Sequence, residues 1–141
     1  MRMSVEEVRA FLADAFPQSL AFGTELVSLG DGVARVTLRC GDEHLRPGGT
    51  VSGPVLFTLA DHALYCLVLA TLGPVALAVT THTSIDFLRR PTPGVLSAEA
   101  ELLKLGRRLA VGRVTIRNEP GGEIVAHASM TYSLPPGAPA A

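Results

Sequence analysis

Asp61 is the only acid between Val55 and Ala70, a stretch whose neighbours are mostly Leu, Val and Ala. Burying a carboxylate there costs several kcal/mol unless it is paired or hydrogen-bonded. A chain that keeps such an acid has a use for it. Just upstream runs Gly48-Gly49-Thr50-Val51-Ser52-Gly53-Pro54, a flexible, donor-rich lead-in. Position and context suggest a carboxylate poised beside exposed backbone N–H groups at a helix N-terminus.

The other ionisable residues are more scattered. His62 follows Asp61 but is offset by about 100° around a helix, which argues against a direct dyad. His62, His82 and His127 show no metal-ligand spacing, so no metal is expected. Cys40 and Cys66 are far apart and in no redox motif. Cys66 reads as a small buried hydrophobe, and two lone thiols fit a reducing cytoplasm.

The elements that would position these groups can be read from periodicity. Ser4 is an N-cap with Glu7 three residues later, and Val8, Phe11, Leu12 and Ala15 form an apolar stripe that Pro17 ends. Residues Leu20 to Arg39 predict a hairpin turning at Gly30-Asp31-Gly32, with Arg35, Thr37 and Arg39 on one face. From Cys40 to Val51 the chain predicts a loop. A central helix follows from Ser52, its cap, through Pro54 in the first turn to about Leu72, where Gly73-Pro74 stops it. Four strands are expected after it: Val75 to Leu88, Val95 to Leu105, Arg107 to Asn118 and Ile124 to Leu134. The proline-rich tail 135–141 cannot pair in a sheet and is expected to be loose.

The 141 residues suffice for one domain with its own core, and 48% hydrophobic residues argue against disorder. A net charge of −1 argues against a nucleic-acid partner. The N-terminus lacks the apolar core of a secretory signal. The apolar run is long enough to tempt a membrane assignment, but Asp61 and His62 at its centre argue against one. The layout is α+β: residues 1–19 form a helix lying on the domain, and 20–134 form one long helix against an antiparallel sheet. So apolar a helix needs covering on more than one side. A curled sheet plus a partner subunit would do it, with edge strands extending one sheet across at least a dimer.

The order of these pieces resembles a known family. His44-Leu45-Arg46-Pro47-Gly48-Gly49-Thr50-Val51-Ser52-Gly53-Pro54 leads to Ala60-Asp61; Ala78-Val79-Thr80-Thr81 follows; the next strand ends in Ile85-Asp86-Phe87-Leu88-Arg89-Arg90-Pro91. Over roughly residues 20 to 134 this is similar to the hotdog-fold acyl-CoA thioesterases of the phenylacetate-pathway (PaaI-like) type. The resemblance implies a sheet wrapped around a central helix, a dimer or dimer of dimers, and an active site at the subunit interface. It implies an acyl-CoA substrate, with coenzyme A as part of the substrate and no separate cofactor. Asp61 would be the catalytic carboxylate, as base on water or as nucleophile, and the Gly53 N–H would polarise the thioester carbonyl.

Those roles agree with elementary chemistry, since an oxyanion donor of this kind contributes ~3 kcal/mol. Gly53 and Asp61 are eight residues apart, about 12 Å of helical rise, which fits a site shared between two chains better than one chain alone. The sequence departs from the family where many relatives have His-Gly-Gly, because Ser52-Gly53-Pro54 stands there. It departs again where many have a loop asparagine, because Arg46 stands there with His44 two residues earlier. Arg46, His44 or Ser52 would then supply the missing polar helper. Thr80 matches a position that helps orient water in the family; as plain strand residues Thr80 and Thr81 are equivalent. Arg89, Arg90, Arg107 and Arg108 are candidates for the coenzyme A phosphates. Two other readings stand beside hydrolysis: an enoyl-CoA hydratase or dehydratase of the same fold, and a non-catalytic acyl-CoA-binding protein.

Overall fold

The computed structural model describes residues 1–139. Helix α1 (Val5–Ala15) begins at Ser4, whose hydroxyl accepts from the Glu7 N–H at 3.2 Å. A second short helix, α2 (Pro17–Ala21), follows at once. Pro17 therefore ends one helix and opens the next, since proline at a first helical position gives up only an N–H that has no partner there. The hairpin predicted from Leu20 accordingly starts later, with β1 (Thr24–Gly30) and β2 (Val33–Arg39). Its turn is Asp31-Gly32, both at positive φ, the geometry that matches the twist of paired strands.

The loop from Cys40 holds more structure than its composition predicts. A 3-10 turn at Asp42–His44 precedes a small ribbon of β3 (Leu45–Arg46) and β4 (Thr50–Val51), closed through Gly48 and Gly49 at positive φ. Helix α3 (Gly53–Leu72) comes next, then β5 (Val79–Phe87), β6 (Val95–Leu105), β7 (Leu109–Asn118) and β8 (Ile124–Ser133). The strand expected from Val75 begins at Val79 because residues 75–78 turn, with Ala78 N–H donating to Val75 O.

One six-stranded antiparallel sheet runs β1-β2-β6-β7-β8-β5. Its inner face is Ala34, Val36 and Leu38 on β2, Ala98 and Ala100 on β6, Ala110, Val114 and Ile116 on β7, and Ala126, Ala128 and Met130 on β8, all buried. Small residues let the sheet approach α3 closely. At Gly112 a Cβ would meet Leu64 Cδ1 at 2.5 Å and Glu101 O at 2.7 Å, so only glycine fits.

α3 carries enough apolar residues to cross a membrane, yet most of it is buried inside the fold. The sheet covers one side, and α1 covers part of the other through Val8 and Leu12, with Arg2 and Met3 N–H donating to Ala70 O. Arg9 ties α1 to β1, its guanidinium donating to Leu26 O. The chain itself therefore buries most of α3, which sequence reasoning had divided between the sheet and a partner. The exposed apolar side chains include Leu77, Val79, Phe87 and Leu88 on and beside the edge strand β5, Phe57 on α3, and Phe16, Leu20, Val27, Leu103 and Leu109 elsewhere. Leu134 closes the domain in the core and, in the tail expected to be loose, Ala138 packs against that core, while residues 140–141 lie outside the described residues.

Candidate active site

α3 turns Thr58, Asp61, His62 and Tyr65 toward a cavity of about 490 Å³. Their spacing of three, one and three residues is one helical face, so the 100° offset between Asp61 and His62 still leaves both on one stripe. The opposite wall comes from β5 and β8 through Val79, Thr80 and Tyr132, with Ala76 and Ala78 just before β5. The far end is closed by Ala15, Phe16, Gln18, Ser19 and Phe22 around α2. The N-terminal helices thus form part of a pocket wall and are more than a cover on the domain.

Asp61 is half-buried at this wall. The Thr80 hydroxyl donates to Asp61 Oδ1. The Tyr132 hydroxyl stands 2.6 Å from the same oxygen and 2.9 Å from the Asp61 carbonyl. Burial, then the Asp61 charge and the hydrogen bond to it, push the Tyr132 phenol upward, so it keeps its proton and donates. Oδ2 has no protein partner among the described residues. Tyr132 stacks on Tyr65 at 6.2 Å, and Phe16 meets Tyr65 edge-on at 6.1 Å. Sequence reasoning missed Tyr132. The available signal was parity, because Tyr132 alternates with the inward Met130 and Ala128 and so brings a hydroxyl onto the core face.

His62 is buried, and burial lowers its pKa to about 4 against the opposing pull of the Asp61 charge. Its Nε2 lies 3.5 Å from Cys66 Sγ, and the Cys66 thiol is pushed up by burial to about 12. The pair is therefore a neutral imidazole beside a protonated thiol.

The remaining predicted residues separate into groups. Gly53 opens α3 beneath the Phe87 ring, 3.4 Å from where its Cβ would stand. It does not line the Asp61 cavity. Ser52 occupies the N-cap position, but its hydroxyl makes no capping bond; its backbone N–H donates to His44 O instead. His44 is buried with both ring nitrogens engaged, Nδ1 accepting from Gly41 N–H and Nε2 at 2.9 Å from Phe22 O. That assigns it to pinning the loop, away from the carboxylate of its own chain. Arg46 is exposed on β3.

The four arginines do not converge within one chain. Arg89 and Arg90 follow the end of β5, where Arg89 pairs with Glu123 at 2.9 Å. Arg107 and Arg108 lie in the β6–β7 turn beside a small groove with Lys104 and Leu109. The register Leu109–Ser133–Val79 puts that turn at the start of β5. The length of β5 from Val79 to Phe87, about 26 Å at ~3.3 Å per step, separates the two pairs.

The arrangement offers a carboxylate with one oxygen held and one free, at the wall of an apolar cavity. Such a group can take a proton from water or attack a carbonyl. Comparisons with known proteins point the same way. The sequence model of the thioesterase superfamily matches residues 48–125. A curated "putative esterase" of Deinococcus radiodurans is 31% identical over 126 residues, covering 89% of this chain and 84% of that protein. A crystal structure from Silicibacter sp., described as a "putative thioesterase", is 47% identical with a TM-score of 0.86, covering 95% of this chain and 93% of that one. The Escherichia coli PaaI protein from the phenylacetic acid degradation operon is 26% identical with a TM-score of 0.80, covering 94% of each chain.

Proposed function

The chain belongs to the thioesterase superfamily, and we propose that it is an acyl-CoA thioester hydrolase whose base is Asp61. The observation that carries this reading is the Asp61 carboxylate, held at Oδ1 by Thr80 and Tyr132 with Oδ2 free beside the apolar cavity. Oδ2 takes a proton from water as the water oxygen attacks the thioester carbonyl. The tetrahedral intermediate collapses by breaking the C–S bond, and the proton passes to the departing thiolate. The products are the acid and free coenzyme A. Thr80 acts here through the carboxylate, a role different from orienting water directly.

The oxyanion donor is the Gly53 N–H of a second subunit. β5 is a sheet edge with exposed apolar residues at both ends, Val79 and Phe87. An antiparallel pairing of two such edges about a twofold axis near Thr83 sets Phe87 of one chain opposite Val79 of the other. Phe87 lies over Gly53, and Thr80 holds Asp61. The pairing therefore brings each Gly53 toward the other chain's Asp61. The same operation brings Arg89 and Arg90 of one chain to the sheet end that carries Arg107 and Arg108 of the other, a composite basic rim suited to nucleotide phosphates. The dimer is the minimal active unit in this reading, working in the reducing cytoplasm that two free thiols suit.

Hydration of enoyl thioesters would call for a histidine working with the acid. His62 shares the cavity, but its Nε2 faces Cys66 and it makes no hydrogen bond to Asp61, which favours hydrolysis. The test is thiol release from a panel of aryl, short-chain and medium-chain acyl-CoA substrates by the wild type and Asp61→Asn. Loss of about 10²- to 10⁴-fold in kcat is expected of a missing general base. An Asn variant that keeps full activity would end this mechanism, and binding without turnover by the wild type would identify a non-catalytic binder.

A further inference from the structure

Three aromatic rings lead along the cavity away from Asp61. The Tyr132 hydroxyl touches the carboxylate. Tyr65 stacks on Tyr132 with ring centres 6.2 Å apart, and Phe16 meets the edge of Tyr65 at 6.1 Å. Phe16 therefore stands two ring contacts from the acid, at the end of the cavity built around α2. It is also the joint of the N-terminal helices, ending α1 and preceding Pro17 of α2. The joint is held by backbone and not by the ring. The Phe16 N–H donates to Leu12 O at 2.8 Å, and the Phe16 carbonyl accepts from the Ser19 N–H at 3.1 Å and from the Ser19 hydroxyl at 2.8 Å. The ring is 42% exposed and stands outside the buried core. Its neighbour Phe22 differs, since it packs against that core and meets the His44 ring at 5.0 Å. At the end of the cavity, Phe16 thus offers apolar surface that the fold itself does not bury.

We propose that Phe16 is a specificity residue, the stop against which the tail of the acyl chain ends, so that the α1–α2 joint sets the longest acyl group the enzyme accepts. This rests on the hydrolase reading above and adds the acyl-length limit to it. With the thioester carbonyl held at Asp61, the chain runs past Tyr65 toward Phe16. Tyr65 cannot step aside without giving up the bond from its hydroxyl to Ala76 O at 3.1 Å. Each methylene added short of Phe16 buries apolar surface and strengthens binding. The first methylene that meets the ring has no room, and a misfit of one methylene in an apolar pocket is discriminated by about tenfold or more. Phe16 lies outside residues 48–125, the part matched by the superfamily model. The limit is therefore set by the N-terminal segment, while the acid and its donors sit in the sheet and central helix.

The test measures kcat/KM for thiol release along the straight-chain series from butyryl-CoA to dodecanoyl-CoA. For the wild type, kcat/KM should climb with length and then fall sharply at one member of the series. Phe16→Ala should move that fall to longer chains, raising kcat/KM about tenfold for the first substrate the wild type rejects. Phe16→Trp should move it to shorter chains, with a loss of about tenfold for the longest one the wild type accepts. Leu20→Ala removes an exposed apolar side chain from the same short helix without touching the cavity, and it should leave the limit where it is. A wild type with no length limit, a limit that stays put in both Phe16 variants, or an equal shift in Leu20→Ala would overturn the proposal while leaving hydrolysis standing. Release of thiol from no substrate at all would remove the hydrolase reading and this inference together. The two Phe16 variants shift the limit in opposite directions, so either one decides the matter if the other fails to fold.

Discussion

The Tyr132 hydroxyl stands 2.6 Å from Oδ1 of Asp61, across 71 positions of sequence. Thr80 donates to the same oxygen. Two donors on one oxygen fix the carboxylate rotamer and leave Oδ2 as the atom free to do chemistry.

Tyr132→Phe removes the hydroxyl and keeps the ring on Tyr65. It should lower kcat about tenfold with KM changed less than twofold. Thr80→Val should act in the same direction. A raised KM with an unchanged kcat would reduce Tyr132 to a packing role.

The composite site predicts that specific activity tracks dimer concentration. Dilution below the dissociation constant should lower activity per chain, and substrate should restore it by mass action. Val79→Asp, a charge on the exposed apolar edge of β5, should shift the protein toward monomer in analytical ultracentrifugation and lower activity in proportion. A fully active monomer would exclude a Gly53 donor from a second chain.

His62 also sets a pH dependence of stability. Its pKa falls from 6.5 to about 4 on folding, through burial. Between those values the unfolded chain binds a proton that the folded chain refuses. Stability therefore drops as pH falls from 6.5 toward 4, and above 6.5 this group has no effect. The difference amounts to about 3 kcal/mol. Urea unfolding at pH 7 and pH 4.5, at fixed protein concentration, should show His62→Gln losing about 2–3 kcal/mol less than the wild type. Equal losses in the two proteins would place the imidazole in contact with water.

Gly112→Ala should destabilise the fold, because the added Cβ would lie 2.5 Å from Leu64 Cδ1 and 2.7 Å from Glu101 O. Overpacking of this kind costs about 1–3 kcal/mol, read as a lower Tm. Leu64 can move but the β6 carbonyl cannot do so cheaply, so Gly112→Ala with Leu64→Ala should recover only part of the loss. An unchanged Tm for the single variant would mean that β6 and β7 stand further apart than this register allows.

The hairpin turn at Asp31-Gly32, the alternation on β2 and β7, and the limits of α3 could be read from sequence because each rests on a short-range period or a local dihedral need. Helix α2 could not, because Pro17 is both a stop for one helix and a start for another. Ser52 sits where a cap belongs without acting as one, since its hydroxyl makes no bond to the first turn. His44 looked chemical because it neighbours the glycine-rich entry, and only its two backbone partners reveal a structural post.

From the residues alone came the acid in an apolar helix, the glycine-led entry to that helix, and an α+β layout whose motif order resembles thioesterases. Tertiary structure decided what touches the acid. Tyr132 reaches Asp61 because β8 pairs with β5 in one register, and a slip of a single residue would turn its hydroxyl to the outer face. Likewise the four arginines fall into two pairs because β5 runs the length of the sheet between them. Local pattern carries the period of an element, while pairing between distant strands depends on the packing of the whole core.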